Sequence, residues 1–155
     1  MSAVARPDET PTPAGSYRVA RVVGDLVLTA GMTPRGVDGA LLATGRLGEA
    51  VSDAEGGRMA ALATERALDA AVSALPPGRI LDEVVSLTVF VAATSDYTTH
   101  SRIADAASTT IIERMPGSAL PVRAAVGVAS LPGGAPVEVQ LTALHRQSPA
   151  GAPAQ

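Results

Sequence analysis

The stretch Pro121–Leu141 reads PVRAAVGVASLPGGAPVEVQL and contains two apolar runs separated by a cluster of proline and glycine. Val122–Leu131 and Val137–Leu144 are rich in the aliphatic residues that buried strands prefer, so they predict two strands. Each run carries one charged side chain near its start, Arg123 in the first and Glu138 in the second. Charged side chains rarely enter a buried sheet without a partner or a ligand, so these two residues are the first candidates for a functional site.

The residues before this stretch predict a hairpin, two helices and a long strand. Gly24-Asp25 is a tight-turn signal between two strand-like runs, and Ser52 followed by Glu55 three residues later is the pattern of a helix capping box. The predicted elements are strands at Tyr17–Val23, Leu26–Gly31 and Leu81–Ala93, a short apolar run at Ala40–Thr44, a helix from Ser52 to about Leu75, and a helix at Ala104–Arg114 capped by Thr94-Ser95-Asp96.

The order β-β-(β)-α-β-α-β-β predicts an α/β (α+β) fold, in which one mixed β-sheet carries both helices on the same face. The other face of that sheet is apolar and uncovered, so self-association is expected. We predict a domain at residues 16–146, a flexible N-terminal arm at residues 1–15 and a disordered tail at residues 147–155, because both ends are rich in Pro, Ala and Ser or Thr.

The composition excludes several kinds of chemistry. The chain has no lysine and no cysteine, which excludes a Schiff-base lysine, a Walker-type phosphate loop and a thiol nucleophile. The two histidines, His100 and His145, lack metal-motif spacing and are expected at the surface, and neither a metal nor a cofactor is predicted. The net charge of -3 gives no electrostatic basis for binding nucleic acid.

Membrane segments and export signals are also absent from the predicted organisation. No run of 18 apolar residues occurs, and the N-terminal residues do not form a hydrophobic signal segment. We therefore expect a soluble, cytoplasmic protein without a membrane partner.

Three motifs, together with the order of elements, resemble the Rid family, the YjgF-type reactive-intermediate (enamine/imine) deaminases. The motifs are Gly24-Asp25-Leu26-(x)4-Gly31-(x)2-Pro34, Arg123-(x)2-Val126-Gly127-Val128-(x)2-Leu131-Pro132 and Val137-Glu138-Val139. The segment between Tyr97 and Arg123 is similar to that of a longer-chain branch of the family. The resemblance implies a chorismate-mutase-like fold and a homotrimer with clefts between subunits. It also implies hydrolysis of 2-imino acids, formed from enamines such as 2-aminoacrylate, to 2-keto acids and ammonia.

The resemblance also implies roles for individual residues. Arg123 matches the arginine that binds the substrate carboxylate, and Glu138 matches the glutamate that orients or activates water. The implied substrate-binding residues are Tyr17, Ala30, Gly31, Asp105 and Ala125. This chain departs from the common pattern at three of its positions: Ala30 replaces a serine, Met32 replaces a glutamine, and Asp105 stands for an asparagine, a residue that the chain lacks entirely.

Strand geometry predicts a site between subunits. Arg123 and Glu138 each lie near the beginning of a strand, and two successive strands should run in opposite directions. Strands of about seven residues would then separate the two side chains by about 20 Å within one chain. One small substrate would contact both only if they came from different subunits.

Other interpretations remain open from the sequence. Arg123 and Glu138 could form an ion pair across a trimer interface without a catalytic role. The protein could be a non-catalytic trimer that binds a small ligand or a partner, or a specialised member that acts in a biosynthetic pathway. RNA cleavage is disfavoured by the acidic charge balance.

Overall fold

The computed structural model describes residues 10–149, which form one five-stranded sheet and two α-helices. The elements are β1 (Ala20–Val23), β2 (Leu26–Thr29), α1 (Asp53–Ser73), β3 (Arg79–Ala92), α2 (His100–Arg114), β4 (Val122–Val128) and β5 (Val137–Gln147), with a 3₁₀ turn at Pro132–Gly134. The strand order is β1-β2-β5-β3-β4. Only β3 and β4 are parallel, because α2 carries the chain back across the sheet between them. The predicted α+β fold with one mixed sheet is confirmed.

The helices form as their sequence patterns predict. The Ser52 side chain accepts a hydrogen bond of 3.2 Å from the Glu55 backbone N–H, which confirms the predicted cap of α1. Gly56, in the first turn of α1, is required by packing, because a Cβ there would lie 2.7 Å from a methyl carbon of the buried Leu47. The buried stripe of α1 consists mainly of alanine, so the helix approaches the sheet closely.

Several predicted boundaries were wrong. The helix α2 begins at His100, four residues before the predicted start, and Thr94-Ser95-Asp96 does not cap it. Tertiary contacts explain this difference, because the Tyr97 hydroxyl donates a 2.8 Å hydrogen bond to Asp53 at the start of α1 and so holds this connection to the other helix. The run Ala40–Thr44 is not a strand and contributes only an isolated bridge between Arg35 and Leu41.

The strand boundaries also differ from the prediction. β1 begins at Ala20 rather than Tyr17, since Tyr17 lies in a bend closed by a hydrogen bond from its N–H to the Gly15 carbonyl. β2 ends at Thr29, and β4 ends at Val128 instead of Leu131. β5 extends to Gln147 and therefore includes the first residue of the predicted tail; most of that tail and of the predicted arm lies outside the described residues.

The two helices cover one face of the sheet and leave the other face open. Val27, Val89, Val91 and Val139 are fully buried on the helix face. The alternate residues point to the opposite, open face, where Val122 is 74% exposed and Leu26, Leu28 and Val126 are also exposed. The predicted uncovered apolar face is therefore present on the chain.

Candidate functional site

Glu138 and Gly31 are packed against each other at a bulge between β2 and β5. Leu28 pairs with Thr142, whereas Met32 pairs with Val139. Between these two pairs, the segment that continues β2 therefore has one more residue than β5. The extra length includes Gly31. A Cβ atom at Gly31 would lie 2.6 Å from the Glu138 carboxyl carbon and 2.9 Å from its Cγ. Glycine is needed here because the Glu138 side chain occupies the space of any larger residue.

The Glu138 carboxylate is half-buried, and this burial raises the pKa of Glu138 above its ordinary value of 4.5. Within residues 10–149 it has no hydrogen-bond or ion-pair partner within contact distance. A carboxylate with a raised pKa and free oxygen lone pairs can accept a proton from water more readily than an exposed one.

Arg123 is held on the other side of the sheet by helix α2. Its guanidinium donates a 3.0 Å hydrogen bond to the Asp105 carboxylate, a 2.9 Å bond to the Ser108 hydroxyl and a longer bond of 3.5 Å to the Ser101 carbonyl. These three residues are spaced four and three apart on α2, so they share one helix face. The structure thus brings together Arg123 and Asp105, two of the predicted site residues.

Arg123 and Glu138 do not meet within one chain. Arg123 pairs with Leu87 of β3 and Glu138 pairs with Phe90, which places β3 between their strands. From this register the two Cα atoms are about 10 Å apart along the strands and about 10 Å apart across them, or about 14 Å in total. The predicted separation of about 20 Å was too large, because β4 and β5 are not neighbours and their paired positions are offset by only three residues.

The orientation of the two side chains separates them further. Leu87 is buried under the helices, so Arg123 beside it points to the helix face. Phe90 and Glu138 have the opposite alternation and point to the open face. No single small substrate can contact both groups within one protomer.

Ala30 and Ala125 lie close in sequence to Gly31 and Arg123, respectively, whereas among the described residues Tyr17 forms hydrogen bonds only with its neighbours Ala14 and Gly15. Ala30 precedes Gly31 and borders a shallow depression of about 450 Å³ that Arg18 and Arg21 also line. Tyr17 is half-exposed, and its hydroxyl accepts a hydrogen bond from the Ala14 N–H. Ala125 lies on the same strand as Arg123, two residues further along, and faces the same side.

His100 is a residue near the site that the sequence did not indicate. Its ring packs against β4 so closely that a Cβ at Gly127 would lie 2.4 Å from the His100 Nε2. The ring also makes an edge-to-face contact with Tyr97, with centroids 5.1 Å apart. The available signal was the glycine inside the strand motif, since a strand glycine often marks the close approach of another group.

No helix within residues 10–149 is long and apolar enough to cross a membrane.

Comparison with known proteins assigns this chain to a family. Residues 7–145 match the family described as Endoribonuclease L-PSP. Comparison with curated protein sequences finds no significant match.

Solved structures with the same fold include three informative examples. A protein of unknown function from Agrobacterium tumefaciens is 28% identical, with a TM-score of 0.75 over 84% of this chain and 83% of the other. TdcF from Escherichia coli, solved with bound serine, is 23% identical, with a TM-score of 0.63 over 91% and 97% of the two chains. The YjgF gene product of E. coli is 22% identical, with a TM-score of 0.59 over 93% and 98%.

The chain is an α+β protein with a single mixed sheet and two helices on one face. It belongs to the Endoribonuclease L-PSP family, which includes the YjgF-type proteins. This assignment confirms the resemblance drawn from the three sequence motifs.

Proposed function

We propose that this protein is an enamine/imine deaminase, which hydrolyses 2-imino acids such as 2-iminopropanoate to 2-keto acids and ammonia. The observation that carries the proposal is the Glu138 carboxylate, which lies against Gly31 on the open face with a raised pKa and with no partner among residues 10–149. A base of this kind suits the activation of one water molecule. An imine carbon is electrophilic already, so the reaction requires neither a covalent intermediate nor a metal.

The proposed reaction begins with the attack of water. Glu138 accepts a proton from the water as its oxygen bonds to the imine carbon, and the imine nitrogen takes up a proton to give a carbinolamine. The carbon–nitrogen bond then breaks and ammonia leaves, while the remaining oxygen becomes the keto group. Overall, one water and one imino acid yield one keto acid and one ammonia, with no change in oxidation state.

Arg123 would bind the substrate carboxylate from a neighbouring subunit. A planar guanidinium is suited to a carboxylate because it donates two parallel hydrogen bonds. The opposite orientations of Arg123 and Glu138 support a site between subunits, and the exposed apolar side chains of the open face support association through that face. A homotrimer with clefts between its subunits is the assembly we propose.

The proposed ligand is small. TdcF, which shares the fold, was solved with bound serine, a molecule with the carboxylate and size of a small 2-imino acid. Ala30 and Gly31 would contact the substrate without offering a side-chain hydroxyl, and the depression beside Ala30 would hold the rest of it. The cytoplasm is the proposed location.

The proposal is tested by generating 2-iminopropanoate in situ with an amino-acid oxidase and following its loss. The wild-type protein should accelerate the loss, and Arg123→Ala should abolish most of the acceleration. Arg146→Ala is a matched control, because Arg146 also forms an ion pair on the sheet but with Asp82, away from the candidate site. Equal activity of wild type and Arg123→Ala would contradict the role of Arg123.

A second candidate is a non-catalytic trimer that binds 2-keto acids. The serine bound in TdcF, which shares the fold, favours this candidate, since a site that only binds a small carboxylate needs no catalytic base. Binding of pyruvate without acceleration of imine loss would favour this candidate. Cleavage of RNA, which the family's description mentions, would be tested in the same preparations.

A further inference from the structure

A second, larger cavity lies on the helix side of the protein. It has a volume of about 740 Å³ and is bounded by the loop at residues 35–42, the middle of α1 and the segment at residues 10–12. Neither Arg123 nor Glu138 is among the residues that line it, so this cavity is separate from the candidate site. Nothing in the proposed deaminase reaction uses it.

Two arginines in this cavity have no carboxylate partner. Within residues 10–149, neither Arg35 nor Arg66 has a carboxylate oxygen within 4 Å. Arg35 donates to the Thr33 hydroxyl and the Gly39 carbonyl, and Arg66 donates to the Arg35 carbonyl. The Arg66 side chain is only half-buried, but its Nε–H is buried and has no hydrogen-bond acceptor within residues 10–149. A buried N–H donor that makes no hydrogen bond is costly, and a bound anion would satisfy it.

The charges around the two arginines favour an anion between them. Burial lowers the pKa of Arg66, and the neighbouring charge of Arg35 lowers it further, while Asp69 acts in the opposite direction. The nearby carboxylates are already engaged: Glu65 and Asp69 both pair with Arg114, and Asp38 accepts a hydrogen bond from the Ala40 N–H. The charges on the cavity lining sum to zero, with three arginines and three carboxylates, but two of those carboxylates are paired with Arg114. Among the lining residues, Arg35 and Arg66 are therefore the cations that an anion can reach without displacing an ion pair.

The rest of the cavity wall offers apolar contacts. Val37, Leu42 and Leu62 line it and are all exposed, with Val37 at 85% and Leu42 at 51%. Exposed aliphatic side chains next to two neighbouring guanidinium groups suit a ligand with an oxyanion at one end and a hydrocarbon body. We propose that this cavity is a binding site for a small organic oxyanion, a carboxylate or a phosphate monoester, held by Arg35 and Arg66 with its apolar part against Leu42 and Leu62.

Isothermal titration calorimetry with hexyl phosphate and with hexanoate tests this proposal. The wild-type protein should bind at least one of them, and the tighter of the two identifies the oxyanion class. Arg66→Gln should weaken binding at least about tenfold, as expected when a charge-assisted hydrogen bond is lost. Arg58→Gln, which changes an exposed arginine eight residues earlier on the same helix, should bind like wild type.

Further variants separate this site from the proposed deaminase site. Arg123→Ala should retain full binding of hexyl phosphate, whereas loss of binding in that variant would overturn the proposal and assign the ligand to the other site. Arg35→Gln provides a second test if Arg66→Gln does not fold, as judged by circular dichroism. Inorganic phosphate should bind more weakly than hexyl phosphate; equal affinity would refute the apolar half of the site. Absence of binding to wild type, or unchanged binding to Arg66→Gln, would overturn the whole proposal.

Discussion

Arg123 and Glu138 differ in whether the same chain provides hydrogen-bond partners for their charged groups. Arg123 lies on the helix face, where Asp105 and Ser108 of α2 accept hydrogen bonds from its guanidinium. Glu138 lies on the open face, where its carboxylate has no partner in the part of the chain that the structure describes and burial raises its pKa. The arginine is positioned by its own protomer, whereas the glutamate is placed by the Gly31 bulge and left available. This difference fits the proposed site between subunits, in which each protomer would supply one of the two groups to its neighbour.

Replacing Glu138 should have the largest effect on imine hydrolysis. Glu138→Gln keeps the shape but removes the base, so we expect imine hydrolysis to fall by about 100-fold or more, in kcat rather than in KM. The measurement is steady-state loss of 2-iminopropanoate. Gln140→Ala, on the same face of β5, is the matched control and should retain most activity. A Glu138→Gln protein with wild-type kcat would show that Glu138 is structural.

Displacing the glutamate should have a smaller effect. In Gly31→Ala the new methyl group collides with Glu138, so the carboxylate must move away. We expect activity to fall by about tenfold to 100-fold, because small displacements of catalytic groups are costly, and the free energy of unfolding to fall by about 1 kcal/mol.

The collision can be isolated by combining variants. The loss of stability in Gly31→Ala should disappear when Glu138 is alanine, as measured by urea unfolding of both single variants and the double variant. A loss of the same size in both backgrounds would place the strain elsewhere in the bulge.

Removing the ion-pair partner of Arg123 should have a moderate effect, and it should improve substrate binding rather than weaken activity. Asp105→Asn removes the negative charge that competes with the substrate carboxylate for Arg123, so we expect KM to fall by about fivefold, the value of an exposed ion pair. The kcat should change little. A higher KM would show instead that Asp105 orients Arg123 for binding, and Glu113→Gln, an exposed carboxylate on the same helix, serves as the control.

The smallest expected effect is on the pH dependence of stability. Because burial raises the pKa of Glu138 in the folded state, the folded chain holds this proton more tightly than the unfolded chain does. Stability should therefore decrease as the pH rises from the ordinary value of 4.5 through the raised value. Glu138→Gln cannot titrate, so its stability relative to wild type should increase across this window and become constant above it. A difference that does not change with pH, in urea unfolding, would contradict the raised pKa.

The elements were predictable where local patterns are strong. The capping box at Ser52 and the alanine-rich stripe after it predict α1, and the start of β4 and of β5 is marked by the apolar runs that contain Arg123 and Glu138. The boundaries of α2 and β1 were not predictable. The hydrogen bond from Tyr97 to Asp53 joins residues that are 44 positions apart in the sequence. The bend at Tyr17 is closed by a local hydrogen bond to Gly15, and no strong turn motif marks it in the sequence.

His145 shows the same limit. It was expected at the surface, and that expectation was wrong: the residue is only 6% exposed, and its Nε2 lies 3.1 Å from the Gly24 carbonyl of the β1–β2 turn. The alternation of β5 places this histidine on the helix-facing side, but its burial depends on a turn that lies 121 residues earlier in the chain.

By itself, the sequence determined the fold class, the family and the identity of the two charged residues, because apolar runs, turn residues and short motifs are local properties. Only the tertiary structure decided that β3 lies between β4 and β5, that Arg123 and Glu138 face opposite sides of the sheet, and that Arg35 and Arg66 line one cavity. Strand order and the facing of side chains are set by which distant segments pair and with which register. A shift of a single residue in that register would reverse the face of every side chain on a strand, and no local pattern reports it.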